Sequence, residues 1–286
     1  MKAGIASIRK ELAGTYSSEE IESLIFLIFE KLKGYSRTQY LLAKDEILDQ
    51  NVRSEIDEIL LRLKNHEPIQ YILGETEFYG LPFKAVPEVL IPRPETEELV
   101  QWIIQENKLA GPTILDIGTG TGCIAISLQK NIPGAMVLAC DISLVCLETA
   151  RRNAELNSSD ISVFEYDILN FIPEIGIQEL DIIVSNPPYV RETEKLLMEK
   201  NVLEFEPELA LFVSDENPLI FYERIADFAR VQLNDGGRLY FEINEAFGKE
   251  CSGILEEKGF SEVLLKKDIN GKDRMIRAAL EKPLKY

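Results

Sequence analysis

The stretch TILDIGTGTGCIAISL, Thr113 to Leu128, constrains the fold of this chain more than any other. Thr113, Ile114 and Leu115 form a short apolar run suited to a central strand, which ends at Asp116. Gly118, Gly120 and Gly122 follow at every second position. Glycine lets a backbone turn sharply and approach a ligand with no Cβ in the way. From Cys123 the apolar residues continue as a helix. Strand, glycine turn and helix in this order open an α/β sheet in which a nucleotide-like ligand crosses the carboxyl ends of the strands.

The alternation continues downstream. MVLACD (Met136 to Asp141), ISVFEYD (Ile161 to Asp167), LDIIVSN (Leu180 to Asn186) and GRLYFEI (Gly237 to Ile243) read as strands. Helices are expected through Ala150, Asn153 and Ala154, through Leu219 to Val231, and from Glu245 to Lys258. SEVLLKK and DRMIRAAL, joined by a turn through Asn270 and Gly271, predict a terminal hairpin. Such a hairpin gives one sheet edge antiparallel strands, unlike a wholly parallel dinucleotide-binding sheet.

Upstream, the pattern is helical. Ile21, Leu24, Ile25, Ile28 and Phe29 share one helix face, with Ser17 and Ser18 as cap candidates. Ser36 opens a shorter helix, and Val52, Ile56, Ile59, Leu60 and Leu63 mark another stripe. Residues 1–67 therefore predict a small helical N-terminal domain suited to partner recognition. Prolines and glycines punctuate short β-type runs over residues 68–94, which predict a β-hairpin linker. A helix from Glu95 to Gln105 then begins the α/β domain, residues 95–286. The charged Arg93-Pro94-Glu95 segment reads equally well as a solvated cap.

Charge narrows the partners. With 49 acidic and 31 basic residues the formal net charge is −18, which repels nucleic-acid backbones and favours a protein partner or a small cationic ligand. The four cysteines have no metal-like pairing, and His66 is the sole histidine, so no metal site is expected. Cys123, Cys140 and Cys146 are expected to pack as small hydrophobes in a reducing compartment. No segment has the length and apolarity of a membrane span or signal peptide, so the expectation is a cytoplasmic protein, monomeric and without membrane contact.

The candidate chemistry lies at strand ends. Asp141 ends its strand beyond the glycine turn, where an acid can accept from both ribose hydroxyls of an adenosine cofactor; the bland alternative is a helix cap with Ser143. Asp167 is placed to accept from an adenine amine. Asp116 can steady the glycine loop or meet a cofactor's cationic amino group. The sharpest signal is Asn186-Pro187-Pro188-Tyr189. Two prolines fix two φ angles and remove two donors, leaving carbonyl oxygens that, with the Asn186 side-chain carbonyl, suit a substrate NH₂ group. Tyr189 adds a flat face for a planar amide or base. An amide or aromatic amine is a poor nucleophile, so acceptors must hold its N–H groups and turn the nitrogen toward an electrophile. A sulfonium methyl donor is already activated and needs no metal.

On these motifs the chain resembles the protein-(glutamine-N5) methyltransferases that act on peptide chain release factors. The resemblance covers nearly the whole chain, through PIQYILGETEFYG, LIPRPETEELV, LDIGTGTGCIAI, VSNPPYV, FEPELAL and DINGKDR. It implies a Rossmann-like class I methyltransferase sheet. It also implies S-adenosylmethionine as methyl donor and the glutamine of a release-factor Gly-Gly-Gln loop as acceptor. By resemblance, Gly118, Thr119, Gly120, Thr121 and Gly122 hold the methionine end, Asp141 the ribose, and Ile168 beside Asp167 flanks the adenine. Asn186, Pro187, Pro188 and Tyr189 grip the glutamine amide, and Asn186 also touches the cofactor. Relatives often have an aromatic residue in place of Ile168 and read Glu-Ile-Gly where this chain has Glu242-Ile243-Asn244.

Three other functions compete. An adenine-N6 or cytosine-N4 DNA methyltransferase can use the same loop on a flipped base, but the net charge opposes it. A nicotinamide oxidoreductase has no use for the Asn-Pro-Pro-Tyr loop. A non-catalytic binding module on this fold would show no methyl transfer.

Overall fold

Capping chemistry punctuates the N-terminal helices. The computed structural model describes residues 1–170 and 179–282. Helices α1 (Lys2–Leu12), α2 (Ser18–Lys33), α3 (Arg37–Leu42), α4 (Gln50–Lys64) and α5 (Ile69–Leu73) follow one another. The Ser17 hydroxyl caps α2 by accepting from Glu20 N, and Gly34 ends that helix in the left-handed conformation at φ 65°. Ser36 and Gln39 form a capping box on α3. Asp49 caps α4. The expected stripes of α2 and α4 are buried together with Ile5, Ile8 and Leu12 of α1. This unit comprises Met1–Gly74 and Glu199–Phe205, the latter containing α9 (Lys200–Phe205). Among the described residues no helix is long and apolar enough to cross a membrane.

The second unit comprises Glu75–Met198 and Glu206–Tyr286. It opens with an antiparallel hairpin, β1 (Glu75–Phe78) and β2 (Leu81–Lys84), followed by α6 (Pro94–Glu106). The hairpin expected within residues 68–94 is thus shorter than that segment, whose first residues form α5. It is also part of a core: Phe78 and Phe83 are fully buried, packed edge to face at 6.1 Å among Leu99, Trp102 and Ile103 of α6. Burying each ring stabilises the unit by about 2–3 kcal/mol.

Seven strands form the main sheet. In chain order they are β3 (Thr113–Ile117), β4 (Met136–Asp141), β5 (Ile161–Glu165), β6 (Leu180–Ser185), β9 (Leu233–Glu242), β10 (Phe260–Lys267) and β11 (Asp273–Leu280). Their spatial order is β10-β11-β9-β6-β3-β4-β5. Strands β9, β6, β3, β4 and β5 run parallel, whereas β11 pairs antiparallel with both β9 and β10. This is the Rossmann-like methyltransferase sheet with the antiparallel edge that the terminal hairpin predicts. Helices α7 (Cys123–Asn131), α8 (Leu144–Leu156), α11 (Ile220–Gln232) and α12 (Gly248–Glu257) cross between strands. Their apolar faces bury both sides of the sheet in two clusters, around Leu115, Ile183 and Phe241 and around Ile114, Val184 and Tyr240.

The order reverses between β3 and β6: β4 follows β3 on one side, and β6 lies on the other. A crevice opens at the carboxyl ends of strands at such a switch point. Between β6 and α11 the chain adds β7 (Val190–Arg191), a 3₁₀ turn (Glu192–Leu197), α10 (Glu208–Leu211) and β8 (Phe212–Val213); β7 and β8 pair in parallel. Their two-residue length leaves no period for a sequence reading to find.

Candidate active site

The glycine loop is held in shape by the end of β4. Gly118 N and Thr119 N both donate to Cys140 O, at 2.9 and 3.0 Å, and Gly122 N donates to Thr119 O at 2.8 Å. Gly120 N donates to Asp141 Oδ2 at 3.0 Å, while Asp141 Oδ1 accepts from Ser143 N at 2.9 Å. Asp141 therefore anchors the loop and the start of α8, and its carboxylate faces the cleft. Burial raises its pKa, against the three N–H groups of Ser143, Gly120 and Ile142. Asp116 lies beneath the loop, fully buried. Its Oδ2 accepts from Thr119 Oγ1 at 2.7 Å, and its Oδ1 has no hydrogen-bond partner among the described residues. Burial pushes its carboxyl up to about 7. Of the two roles expected for Asp116, the structure displays the loop-steadying one.

The three glycines differ. All have positive φ, at 72°, 55° and 81°. A Cβ on Gly118 would meet no protein atom within 4 Å, so a side chain there would stand in the cleft that Gly118 lines. A Cβ on Gly122 would lie 3.1 Å from both Ala150 Cβ and Ile126 Cδ1. Gly122 is not among the cleft-lining residues; it lets the start of α7 approach α8.

One cleft of about 1200 Å³, its open mouth included, is lined by Gly118, Thr119, Gly120, Thr121, Asp141, Asp167, Ile168, Asn186, Pro187 and Pro188. Every site residue singled out in the sequence except Asp116, Gly122 and Tyr189 reaches it. Tyr189 lines a smaller adjoining cavity with Arg93, Asn186 and Pro187. Asp167 Oδ1 accepts from Leu169 N at 2.9 Å and Oδ2 from Asn170 Nδ2 at 2.7 Å. With Tyr166, Ile168 and Phe221 also in the wall, the cleft offers apolar surface for a planar ring and acceptors for hydroxyl and amine groups. The open space above Gly118 and the lone pairs left on the Asp141 carboxylate fit an adenosine-type cofactor with an amino-acid tail.

The Asn-Pro-Pro-Tyr loop leaves β6 where Ser185 Oγ ties that strand to β3 by donating to Ile117 O at 2.7 Å. Asn186 Nδ2 donates to Thr96 Oγ1 at 3.2 Å, and Thr96 Oγ1 donates to Glu242 Oε2 at 2.7 Å. The Tyr189 hydroxyl donates to Glu242 Oε1 at 3.1 Å. Burial raises the pKa of both Tyr189 and Glu242; for Glu242 the two hydroxyl donors and Arg274 pull the other way. Asn244, buried beside them, donates through Nδ2 to Tyr189 O at 3.1 Å and to Glu194 Oε2 at 3.2 Å, and accepts from Ala246 N. The departure from Glu-Ile-Gly thus supplies a clamp on the loop backbone.

Sequence reasoning missed this support. Arg93 lies in the segment whose charge suited a solvated cap, and Thr96 directly follows it. Instead Arg93 Nη2 donates to the buried Glu206 Oε1 at 2.5 Å, and Glu206 Oε2 accepts from Ile91 N at 3.3 Å. That pair fixes the chain entering α6 against the chain entering α10, two residues before its first turn, and both flanks line the cleft. The sequence carries only the opposite charges of Arg93 in LIPRPETEELV and Glu206 in FEPELAL, 113 residues apart.

Residues 5–74 match the PrmC N-terminal domain family, and residues 96–205 match the family described as Methyltransferase small domain. The release factor glutamine methyltransferase of Flavobacterium psychrophilum is 52% identical over 93% of this chain and 94% of its own length. The chain belongs to the release factor glutamine methyltransferase family. The Bacteroides thetaiotaomicron relative of the same name is 49% identical over 96% of this chain and 98% of its own. Among solved structures, a methyltransferase from Pyrococcus furiosus superposes with a TM-score of 0.53 at 19% identity, covering 82% of this chain and all of that one (100%). A Thermus thermophilus 16S rRNA N2 G1207 methyltransferase, solved with AdoMet and guanosine, gives 0.53 at 18% identity over 73% of this chain and 50% of that one. These two show the fold alone.

Proposed function

We infer that this chain transfers a methyl group from S-adenosylmethionine to the side-chain amide nitrogen, N5, of the glutamine in the Gly-Gly-Gln loop of peptide chain release factors. The observation that carries this reading is one cleft shared by the glycine loop and the Asn-Pro-Pro-Tyr loop, in a chain of this family.

The cofactor supplies a methyl group activated by its sulfonium. Gly118 to Thr121 would hold its amino-acid end, Asp141 its ribose, and Asp167 with Ile168 its adenine. Asn186 Oδ1 and the Pro187 carbonyl accept the two N–H groups of the substrate amide. That grip makes nitrogen, not the carbonyl oxygen, the atom presented to the methyl donor. Tyr189 restricts rotation of the bound amide. The rate gain comes from orientation and from a pre-set field of acceptors. Residues 95–286 form the methyltransferase domain, residues 1–67 recognise the release factor, and a cytoplasmic monomer is part of the same reading.

Incubation with purified release factor and isotope-labelled S-adenosylmethionine, followed by peptide mapping by mass spectrometry, tests it. The expected product carries one methyl on the Gly-Gly-Gln glutamine. An unmodified glutamine, or label recovered on adenine or cytosine of added DNA, overturns it.

A further inference from the structure

The hydrogen-bond chain behind Asn186 has a direction. Both oxygens of the buried Glu242 carboxyl accept hydroxyl protons, one from Tyr189 and one from Thr96, the arrangement of an ionised carboxylate, which has acceptors only. Thr96 has a single hydroxyl proton, and it is committed to Glu242. Toward Asn186, Thr96 therefore presents only lone pairs, and Asn186 must meet it with its NH₂ group, as Nδ2 does at 3.2 Å. The two ends of a carboxamide are nearly equal in size, so packing alone cannot choose between them. Hydrogen-bond polarity can. With Nδ2 committed, Oδ1 is the end left for the cleft, and it has no partner among the described residues.

We propose that Thr96 and Glu242 are positioning residues that fix the Asn186 side-chain oxygen toward the acceptor position and so make the site select a carboxamide over a carboxylate. This rests on the reading of Asn186 as a holder of the substrate amide. A glutamine can donate to Asn186 Oδ1; a glutamate in its place can only accept. Pro187 and Pro188 carry no backbone N–H to offer a carboxylate, and the Arg93 guanidinium in the same wall is paired with the buried Glu206. A site whose fixed groups match an N–H donor discriminates strongly against an analogue lacking it, since its acceptors are then left unpaired. A reversed relay would let Asn186 turn its NH₂ group to the cleft and welcome the carboxylate.

Calorimetric titration of the full chain, saturated with S-adenosylhomocysteine, with release factor carrying either glutamine or glutamate at the acceptor position tests the relay. The wild type should prefer glutamine by about 100-fold or more. Thr96→Val, nearly isosteric but unable to accept or donate, should lower the preference below about tenfold. Thr96→Ser should keep it. Glu242→Gln, whose amide can donate to Thr96 and release the hydroxyl toward Asn186, should lower it as Thr96→Val does and serves if that variant does not fold. Affinity for S-adenosylhomocysteine should stay within about twofold throughout, which a general structural loss would not allow. Folded Thr96→Val and Glu242→Gln proteins that keep the wild-type preference overturn the relay alone. A wild type that binds both release factors equally overturns the acceptor reading of Asn186 and the relay with it.

Discussion

Thr119 Oγ1 donates to Asp116 Oδ2 at 2.7 Å, and among the described residues no other side chain donates to this carboxyl, which has no solvent exposure. The glycine loop is thus pinned to a group that ionises only against burial. Its folded pKa of about 7 lies above the unfolded value, so between the two the native state holds a proton that the unfolded state has lost. Stability from this group is therefore greatest at low pH and declines as pH rises from about 4 to about 7.

Asp116→Asn removes that titration. The stability of wild type relative to Asp116→Asn should fall by about 1.4 kcal/mol per pH unit between pH 5 and 7 and level off above. Urea unfolding of both proteins across this range measures it. A constant difference would show that Asp116 keeps an ordinary carboxyl pKa.

Gly118 and Gly122 should fail in different ways when each becomes alanine. Both substitutions carry the strain of positive φ, about 1 kcal/mol. At Gly118 the new methyl projects into the cleft, so S-adenosylmethionine affinity should drop by about tenfold or more, while the melting temperature falls only by the roughly 2–4 °C that the backbone strain costs. At Gly122 the methyl presses on Ala150 and Ile126. Stability should then fall by roughly 1–3 kcal/mol, with affinity in the folded protein within about threefold of wild type. Paired melts and calorimetry separate the two. Equal effects on cofactor affinity would place Gly122 in the cleft wall.

Much of this was legible in the sequence because it is local. A strand, a glycine turn and a helix occupy consecutive residues, and so do Asn186, Pro187 and Pro188, which line the same cleft. The terminal hairpin gave away the antiparallel edge. What escaped the sequence is long-range or too short to have a period. Thr96 and Glu242 are 146 residues apart, and a glutamate that is buried against two hydroxyls is spelled like one on the surface. Gly122 looks identical to Gly118 until α8 is in place. Asn244 reads as a departure from a pattern; its two long-range hydrogen bonds exist only after β9 brings it beside Tyr189 and Glu194.

Asp141 anchors Gly120 and Ser143, and in the proposed site it also holds the ribose; its removal should expose both. Asp141→Ala takes the acceptor from Gly120 N and Ser143 N as well as from the ribose. Leaving polar groups underpaired costs roughly 1–3 kcal/mol, so S-adenosylmethionine should bind about 5- to 150-fold more weakly. Calorimetry on the folded variant reads this directly. Unchanged affinity would remove Asp141 from the cofactor site.

Asn186 offers the sharpest test of the acceptor site, because two substitutions there should fail for different reasons. Asn186→Ala removes the oxygen that holds the substrate N–H, a contact strongest in the transition state. A loss of about 2–4 kcal/mol corresponds to turnover about 30- to 1000-fold slower, with cofactor affinity retained. Single-turnover assays at saturating cofactor and release factor isolate that step, and a rate near wild type would refute the role. Asn186→Asp keeps the shape but sets a carboxylate against the Thr96 oxygen, which is 3.2 Å from the Nδ2 position and already committed to Glu242. Two acceptors then face each other beside a second buried carboxylate, and like charges raise the new carboxyl's pKa. Protonated, that carboxyl can donate to Thr96 and leave its carbonyl oxygen for the substrate, restoring the wild-type polarity. Turnover of Asn186→Asp relative to wild type should therefore rise as pH falls from 8 to 6. A ratio that stays flat or declines over that range would show that Thr96 does not read the polarity of the group at position 186.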